Sequence, residues 1–469
     1  MPADYCLKPS HVLSTFSTVS LLFFTTSAHS AGFALIENSA SGMGKAFAGA
    51  AAVAEDASTV WFNPAGMSYL GKSLEGKSQL TNSAHIVSAK TEFADRGSAT
   101  PASLGAATIG GEGDMSNRVT SLIPNLYYVR PINEKLHFGL SINGPFGSKT
   151  EYEENWVGRY HGTLTDMKTV NINPSLSWKA NDKLSLGAGV SAQYINVKLG
   201  SSFDSAGVCR QIAFGSGSQE LINYCNSNYP NAAQTNKDSQ ALVKGDDVSF
   251  GFNLGLLYEP SEKTRIGASY RSKIKHDLKG KALYDLDTGL PFILGATGVT
   301  RFENRDVKAS VELPDSLSLS LAHKVNNRLE VLADITHTQW STFQELLVED
   351  LAGDEVSRVP EEWKDVTRVS LGANYKYNDK LTLRTGIAFD EEPIPSAKLR
   401  TPRIPGNDRK WLSVGAGYKV NKKLKLDVGY SHLFIDETPI DNTDDNGYSV
   451  KGLYNSHVDI LSAQVNYTF

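Results

Sequence analysis

The residues of this sequence that could do chemistry are few, and their spacing matches no catalytic or cofactor-binding motif. There is no GxSxG, no P-loop and no HExxH motif, and the histidines are scattered. The Gly42-Met43-Gly44 segment lacks the third glycine and the preceding strand of a dinucleotide site. No CxxC pair or Cys/His spacing suits a metal ion. The sequence therefore predicts a protein that is not an enzyme, with no catalytic residue, no cofactor and no metal site.

The first 30 residues are typical of a secretory signal peptide. Val19–Phe24 (VSLLFF) forms a short apolar core, and Ala28-His29-Ser30 has the small-x-small pattern of a cleavage site. Residues 1–30 are therefore predicted to be removed, so that the mature chain begins at Ala31. A disordered or wrongly assigned leader remains the alternative, because Asp4 offsets Lys8 in the region that is normally basic.

Two of the three cysteines remain after cleavage. Cys6 lies in the leader, whereas Cys209 and Cys225 lie together in one polar segment. An export signal and an even, local pair of cysteines predict a disulfide formed in an oxidising compartment. Closing a loop of this size contributes about 3 kcal/mol. Two free thiols are the alternative.

The rest of the chain is dominated by alternation with a period of two, which is typical of strands with two unlike faces. At the C-terminus, Leu461, Val465 and Phe469 share one face, and Ser462 and Asn466 share the other. A soluble sandwich also alternates, but here the pattern recurs every 20 to 30 residues, with short polar turns and long connections in between. That asymmetry predicts an all-β, antiparallel transmembrane barrel of about 14 strands, with long extracellular loops and both termini on the periplasmic side. Closure would remove the sheet edges that lipid cannot hydrogen-bond.

The segment before the strands, Ala31–Leu70, does not alternate and is rich in glycine and alanine. We expect residues 31–72 to form a hatch, or plug, inside the lumen of a barrel formed by residues 73–469. The small residues allow close backbone packing, and Asn63-Pro64 would end the segment in a fixed turn. A soluble periplasmic tail is the alternative.

Several segments of the sequence resemble the FadL family of outer-membrane long-chain fatty acid transporters. The hatch-like stretch ends in Asn63-Pro64-Ala65, as that family's hatch does, and the mature start would be Ala31-Gly32-Phe33. Residues 123–147 (IPNLYYVRPINEKLHFGLSINGPFG), residues 384–395 (RTGIAFDEEPIP) and the final Asn-Tyr-x-Phe add to the resemblance. It covers nearly the whole mature chain.

The resemblance implies uptake of long-chain fatty acids or related hydrophobic compounds across the outer membrane. It further implies lateral release into the membrane through a gap at the third strand. Here that gap would be at Asn143-Gly144-Pro145-Phe146-Gly147, where proline cannot donate to the ladder and glycine often marks a bulge. The alternative is that Gly-Pro simply begins an outer loop.

Apolar residues in the long loops and a few cations are the candidate ligand-binding residues. We expect Phe214, Leu290, Phe292, Ile293 and Leu294 to capture an apolar ligand, although loop-on-loop packing would also explain them. A ligand with a carboxylate would need a cation inside the barrel to pair with. The family's basic positions match this chain poorly, so a neutral hydrocarbon is an alternative ligand. The candidate cations are Lys198, Arg358, Lys364 and Arg384.

Two other functions remain open, a general diffusion porin for polar solutes and an outer-membrane lipid hydrolase. The expected partners are a fatty acid or hydrocarbon ligand, outer-membrane lipid and lipopolysaccharide, and the barrel assembly machinery, which would recognise the terminal Phe469. The net charge of −5 gives no electrostatic case for nucleic acid.

Overall fold

The structure, a computed structural model, describes residues 32–231, 233 and 237–469. The signal peptide and Ala31 lie outside these residues. The helices α1 to α7 are Ala40–Met43, Ala50–Val53, Thr59–Phe62, Gly66–Ser73, Ser205–Ser216, Gln219–Asn228 and Leu290–Thr297, and two 3-10 turns span Ala102–Leu104 and Trp340–Thr342. The strands β1 to β20 are Gln79–Asp95, Met115–Pro131, Leu136–Asn143, Gly147–Glu151, Leu164–Lys179, Leu184–Asp204, Asp238–Ser261, Thr264–Arg271, Ile274–Asp285, Arg305–Leu313, Ser316–Lys324, Leu329–Thr338, Glu345–Asp350, Glu355–Pro360, Val366–Lys376, Leu381–Asp390, Arg409–Lys419, Leu424–Ile435, Thr438–Thr443 and Ser449–Thr468.

The strands close into a 14-stranded antiparallel barrel, which confirms the predicted fold class. Closure is made by β1 and β20, which pair from Gln79 opposite Thr468 to Asp95 opposite Gly452. The twenty segments form fourteen strands of the barrel, because six of these strands consist of two consecutive segments each. These pairs are β3 with β4, β8 with β9, β10 with β11, β12 with β13, β14 with β15, and β18 with β19.

The two faces of the wall differ as the alternation predicts. On β20, Leu461 is 57% exposed and Val465 43%, whereas Ser462 and Asn466 are each 1% exposed and face the lumen. Apolar side chains therefore cover the outside, where lipid replaces water, and polar side chains line the inside. No helix in the described ranges is both long enough and apolar enough to cross a bilayer.

The turns at one rim are short, and five of them share one hydrogen-bonding pattern. In each of five turns, an asparagine side-chain oxygen accepts hydrogen bonds from the amides two and three residues ahead, as Asn421 does from Lys423 and Leu424. The asparagines of these turns are Asn133, Asn181, Asn326, Asn378 and Asn421.

The opposite rim carries the long connections, which contain more regular structure than the sequence suggested. One of them joins β6, which continues to Asp204, to β7, which begins at Asp238. Helices α5 and α6 lie in this connection, and β13 and β14 form a hairpin in another.

Residues 32–78 precede β1 and carry α1 to α4, and most of their side chains up to residue 71 are buried. We call this segment the hatch. Its close packing depends on glycines on the inner wall: a Cβ added to Gly415 of β17 would lie 2.7 Å from Gly44 Cα of the hatch. The hatch is also tied to the wall by polar contacts, such as the Ala40 amide donating to Gln464 at 2.9 Å.

An ionic cluster joins the hatch to β16 and β18. Arg384 lies 2.8 Å from both Glu55 of the hatch and Asp427 of β18. Lys45 pairs with the same Glu55, and Lys425 lies 3.2 Å from Asp427. Because removing one partner of a buried ion pair leaves an uncompensated charge, this cluster opposes withdrawal of the hatch from the wall.

Replacement of Gly415 by alanine should loosen the hatch. The added methyl group would overlap the Gly44 backbone, and overpacking of this kind costs about 1–3 kcal/mol. We expect Gly415→Ala to raise the conductance of single channels in planar bilayers. The control is Gly295→Ala, whose methyl group meets no atom within 4 Å. Equal conductance for both variants would contradict the proposed packing role.

Candidate functional site

Asn63, which follows α3, anchors the hatch to the wall. Its side-chain amide donates to the carbonyl oxygens of Ala51 at 2.7 Å and Leu256 at 2.9 Å, and its oxygen accepts from the Ala65 amide at 3.0 Å. Pro64 and Ala65 pack against Gly187 of β6. The Asn63-Pro64-Ala65 motif is therefore a structural joint between two hatch turns and β7.

The wall is interrupted beside β2. This strand pairs with β1 along its whole length, but with β3 only from Pro131 to Leu126. Beyond Asn143 the chain leaves the ladder at Gly144–Phe146, and β4 then pairs with β5 rather than with β2. Among the described residues, β2 therefore has no strand partner on this side from Asn125 to Met115. We call Gly144–Phe146 the kink and this interruption the gap.

The hatch covers the inner side of the gap with its first residues. The Leu35 amide donates to the Pro145 carbonyl at 2.8 Å, and the Gly147 amide donates to the Phe33 carbonyl at 2.9 Å. Asn143 donates from its side chain to Asn38 of the hatch at 2.7 Å. The N-terminal segment thus supplies hydrogen bonds that a neighbouring strand would otherwise make.

Phe33 fills an aromatic cage. Its ring centroid lies 4.6 Å from that of Trp340 and 5.5 Å from those of Phe343 and Trp363, mostly in edge-to-face geometry. Phe146 of the kink lies 6.2 Å away. These four rings around Phe33 are called the cage. Phe33 is 3% exposed, so the hatch occupies this aromatic site with its own side chain.

The carboxyl group of Glu361 lies beside the cage. Burial raises the pKa of Glu361 to about 8, against the opposing effects of the Trp363 hydrogen bond and of Arg403. The Trp363 ring nitrogen donates to Glu361 at 2.7 Å. Glu361 is therefore mostly protonated at pH 7 and does not repel an anion that approaches the cage.

A cavity of about 180 Å³ lies between the hatch and the wall. It touches the kink at Pro145 and Phe146, and the cage at Trp340. Two arginines of the wall also line it, Arg271 on β8 and Arg368 on β15. The gap, the cage and two lumenal cations therefore share one space.

Arg271 differs from Arg368 in its surroundings. Its guanidinium lies 3.3 Å from the Trp61 ring centroid and donates to the Trp61 carbonyl at 2.7 Å, but it forms no ion pair with a carboxylate of the described chain. Its second terminal nitrogen is buried and has no protein hydrogen-bond partner there. Arg368 also has a buried nitrogen, Nε, without a protein hydrogen-bond partner, but it donates to Ala46 at 2.9 Å and lies near the carboxyl groups of Asp390 and Asp334. Arg271 is therefore the better candidate to receive an anionic ligand.

The four candidate cations of the sequence analysis do not line this cavity. Lys198 is exposed, whereas its neighbours Val197 and Leu199 line an inner apolar cavity. Arg358 is paired with Glu345 and Glu355 on the β13–β14 hairpin. Lys364 is exposed, and Arg384 is held in the ionic cluster.

Sequence reasoning missed Arg271 and Arg368 as ligand-site residues, although the alternation pattern contained the signal. Arg368 alternates with apolar residues such as Val369, which is 44% exposed, so its side chain was predictable on the lumenal face. What the pattern does not contain is the position of the cavity along the strand, because that position depends on where the hatch leaves space.

The loop residues separate into a buried and an exposed group. Cys209 and Cys225 are joined in a disulfide that connects α5 and α6. Leu290 and Ile293 are 0% exposed and pack on this pair, together with Leu294, whereas Phe214 is 64% and Phe292 53% exposed. Loop packing therefore accounts for the buried three, and an exposed apolar surface remains at the two phenylalanines.

The described wall also contains a Ser–His pair, His85 Nδ1 and Ser462 Oγ at 2.7 Å. Both residues are at most 1% exposed. A hydrolase would need such a pair to be open to substrate, and this one is sealed between wall and hatch. Within the described ranges, no three His, Cys, Asp or Glu side chains are grouped to hold a metal ion.

Comparison with known proteins identifies the family to which this chain is similar. A family model described as "Outer membrane protein transport protein (OMPP1/FadL/TodX)" matches residues 21–469. The long-chain fatty acid transport protein of Escherichia coli K12 is 34% identical over 424 residues, which cover 88% of this chain and 90% of that protein. The crystal structure of a Pseudomonas aeruginosa FadL homologue superimposes with a TM-score of 0.82 at 27% identity, over 93% of this chain and 99% of that one. The Ralstonia pickettii toluene transporter TbuX shares the fold, with a TM-score of 0.62 at 19% identity over 92% and 98% of the two chains.

Removal of the Phe33 ring should open the cage to solvent. We expect Phe33→Ala to increase quenching of tryptophan fluorescence by acrylamide, because Trp340 and Trp363 are each 1% exposed in contact with Phe33. The control is Phe214→Ala on the exposed loop surface. Unchanged quenching in Phe33→Ala would show that Phe33 does not seal the cage.

Proposed function

The chain belongs to the FadL family of outer-membrane transport proteins, and from this premise we propose that it takes up long-chain fatty acids and releases them sideways through the gap. The coarser function, uptake of hydrophobic compounds across the outer membrane, is that of the family. The observation that carries the finer proposal is the single cavity that touches the kink, the cage and Arg271.

Displacement of Phe33 would couple binding to release. An acyl chain that enters the cage competes with the Phe33 ring for the same apolar surface. Because the Phe33 and Leu35 backbones hold the kink through two hydrogen bonds, their departure removes the inner cover of the gap. The ligand then faces the bilayer through the gap between β2 and β4.

Release into lipid is favoured over release into water for an energetic reason. Each buried methylene favours an apolar site by about 0.8 kcal/mol, so exposing a long acyl chain to water costs on the order of 10 kcal/mol. A lateral path avoids this cost, because the chain passes from an apolar cage to an apolar bilayer.

Arg271 favours a carboxylate over a neutral hydrocarbon as the ligand. A buried guanidinium without a carboxylate partner is costly, and a ligand carboxylate would provide a charge-assisted pair. Its unpartnered nitrogen lies at the cavity that the acyl chain would reach.

Capture from the medium is proposed for the exposed ring surface of the long loops. Phe214 on α5 and Phe292 on α7 are both exposed, and the Phe292 ring lies 4.5 Å from that of Tyr224. A smaller apolar cavity, of about 40 Å³, is lined by Leu278 and Val311, which also pack in the cluster around the cage. It suits an intermediate position between the rim and the cage.

The two alternative functions are less well supported. A general diffusion porin needs an open, wet lumen, but the hatch fills this one and is tied to the wall by the ionic cluster. A lipid hydrolase needs an accessible nucleophile, but Ser462 is 1% exposed. We therefore propose a transporter rather than an enzyme.

A straightened kink should block release without abolishing binding. We expect Gly144→Ala/Pro145→Val to restore the backbone amide that the kink lacks at residue 145 and to favour a continuous strand from β3 to β4. Oleate uptake by cells should then fall about tenfold or more. Oleate binding by the purified protein should persist. The control is Pro360→Val on the exposed β14 strand. Normal uptake in the kink variant would refute lateral release at this gap.

Removal of the Arg271 charge should lower the affinity for acids more than the affinity for neutral ligands. A hydrogen bond to a charged group is worth about 1.5–3 kcal/mol, so Arg271→Gln should weaken oleate binding about 10- to 100-fold. Binding of oleyl alcohol should change little. The control is Arg358→Gln on the β13–β14 hairpin, which should leave both affinities unchanged. Equal weakening of acid and alcohol would remove Arg271 from the role of counter-ion.

A further inference from the structure

The outer surface of β6, β7 and β9 carries a row of lysines that uptake does not explain. Lys198 of β6 lies directly opposite Lys244 of β7, and Lys244 lies directly opposite Lys281 of β9. All three are exposed. One rung lower, Lys279 of β9 lies opposite Lys308 of β10. We call these five residues the lysine patch.

The patch lies just above the apolar band of the barrel, on the side of the long loops. On β7, Val248 is 54% and Phe250 75% exposed, and both belong to the face that carries Lys244. Lys244 is four residues beyond Val248, or about 13 Å along the strand at about 3.4 Å per residue. At a strand tilt of about 45° this is about 9 Å along the membrane normal, which is the level of lipid headgroups.

The row on the upper rung has a carboxylate at each end: Asp166 of β5 lies opposite Lys198, and Asp306 of β10 lies opposite Lys281. Lys281 lies 3.4 Å from Asp306, and Lys308 of the lower rung lies 3.8 Å from Glu349. No ion pair is formed by Lys198 or Lys244 with any described residue. Asp246 of β7 likewise lies opposite Lys279. Like charges directly opposite each other on neighbouring strands are destabilising, so the adjacent Lys198, Lys244 and Lys281 favour an anion from outside the chain.

We propose that the lysine patch binds the phosphate groups of a phosphorylated glycolipid in the outer leaflet, namely the lipid A part of lipopolysaccharide. Cβ atoms on directly opposite residues are about 4.5–5.5 Å apart, so two ammonium groups can flank one phosphate monoester, which carries a charge of about −1.5 to −2. The apolar band directly below receives the acyl chains of the same molecule. The patch thus fits an amphiphile whose phosphate lies above its chains.

The composition of the patch also argues against a soluble anion as its natural ligand. Lysines on long, exposed side chains hold a free phosphate weakly, because exposed ion pairs contribute at most about 1 kcal/mol each. A lipid adds the burial of its chains against Val248 and Phe250 to that small term. Affinity should therefore depend on phosphate and acyl chains together.

The test is binding of bisphosphorylated lipid A to the purified full-length protein in detergent, measured by native mass spectrometry. We expect Lys198→Gln/Lys244→Gln/Lys281→Gln to reduce the bound fraction at least tenfold, and the corresponding triple arginine variant to retain it. The control is Lys422→Gln/Lys423→Gln at a short turn of the opposite rim, which should bind as the wild type does. Heat-dependent migration in gels verifies that each variant is folded.

Three results would overturn the proposal. The first is undiminished lipid A binding by the glutamine variant. The second is equal binding of lipid A whose phosphates have been removed. The third is displacement of the lipid by inorganic phosphate at an equal phosphate concentration, which would identify a simple anion site. Each result is independent of fatty acid uptake, so failure here would leave the proposed function untouched.

Discussion

The structure depends on one constraint, that every backbone amide and carbonyl at membrane depth must find a hydrogen-bond partner inside the protein. A closed ladder meets this constraint along most of the wall, including the β1–β20 seam. Among the described strands, it is interrupted where the kink draws the chain away from β2. There the hatch supplies the substitute, through the Leu35 amide and the Phe33 carbonyl. The plug and the interruption are therefore parts of one arrangement.

This arrangement explains why the hatch is held firmly at one end and lightly at the other. Its body is fixed by the ionic cluster around Arg384 and by the side-chain hydrogen bonds of Asn63. Its first residues are held mainly by aromatic contacts of Phe33 and by two backbone hydrogen bonds at the kink. A ligand that competes for the cage acts on the lightly held end, so transport does not require the whole plug to leave.

Much of the architecture was predictable from the sequence because alternation records which face meets lipid. The strand count, the exposed Leu461 and Val465, and the short and long rims all follow from that pattern. The ligand cation was not predictable, because Arg384 and Arg271 look alike in sequence and differ only in their partners. Arg384 meets Glu55 and Asp427, whereas Arg271 meets the face of Trp61 and a cavity. Pairing across hundreds of residues decides the difference.

The loops give the same lesson at smaller scale. Leu290 and Phe292 are two residues apart in one apolar run, yet the first is buried beside the disulfide and the second is exposed. The two residues lie on different faces of helix α7. The sequence LPFIL is apolar throughout, so it has no period that would show which face is buried. Function in this chain is thus distributed by tertiary packing over segments that resemble each other in composition.

The most direct test of the account is hydrogen exchange, followed by mass spectrometry, of the purified protein with and without saturating oleate. Oleate should accelerate hydrogen exchange both in the peptide that contains the Leu35 amide and in the peptide that contains the Gly147 amide. The Leu461–Tyr467 segment of β20, at the β1–β20 seam, should stay protected. If both amides stay protected in the oleate complex, or if only one of them is released, the coupling between the N-terminal segment and the gap does not exist.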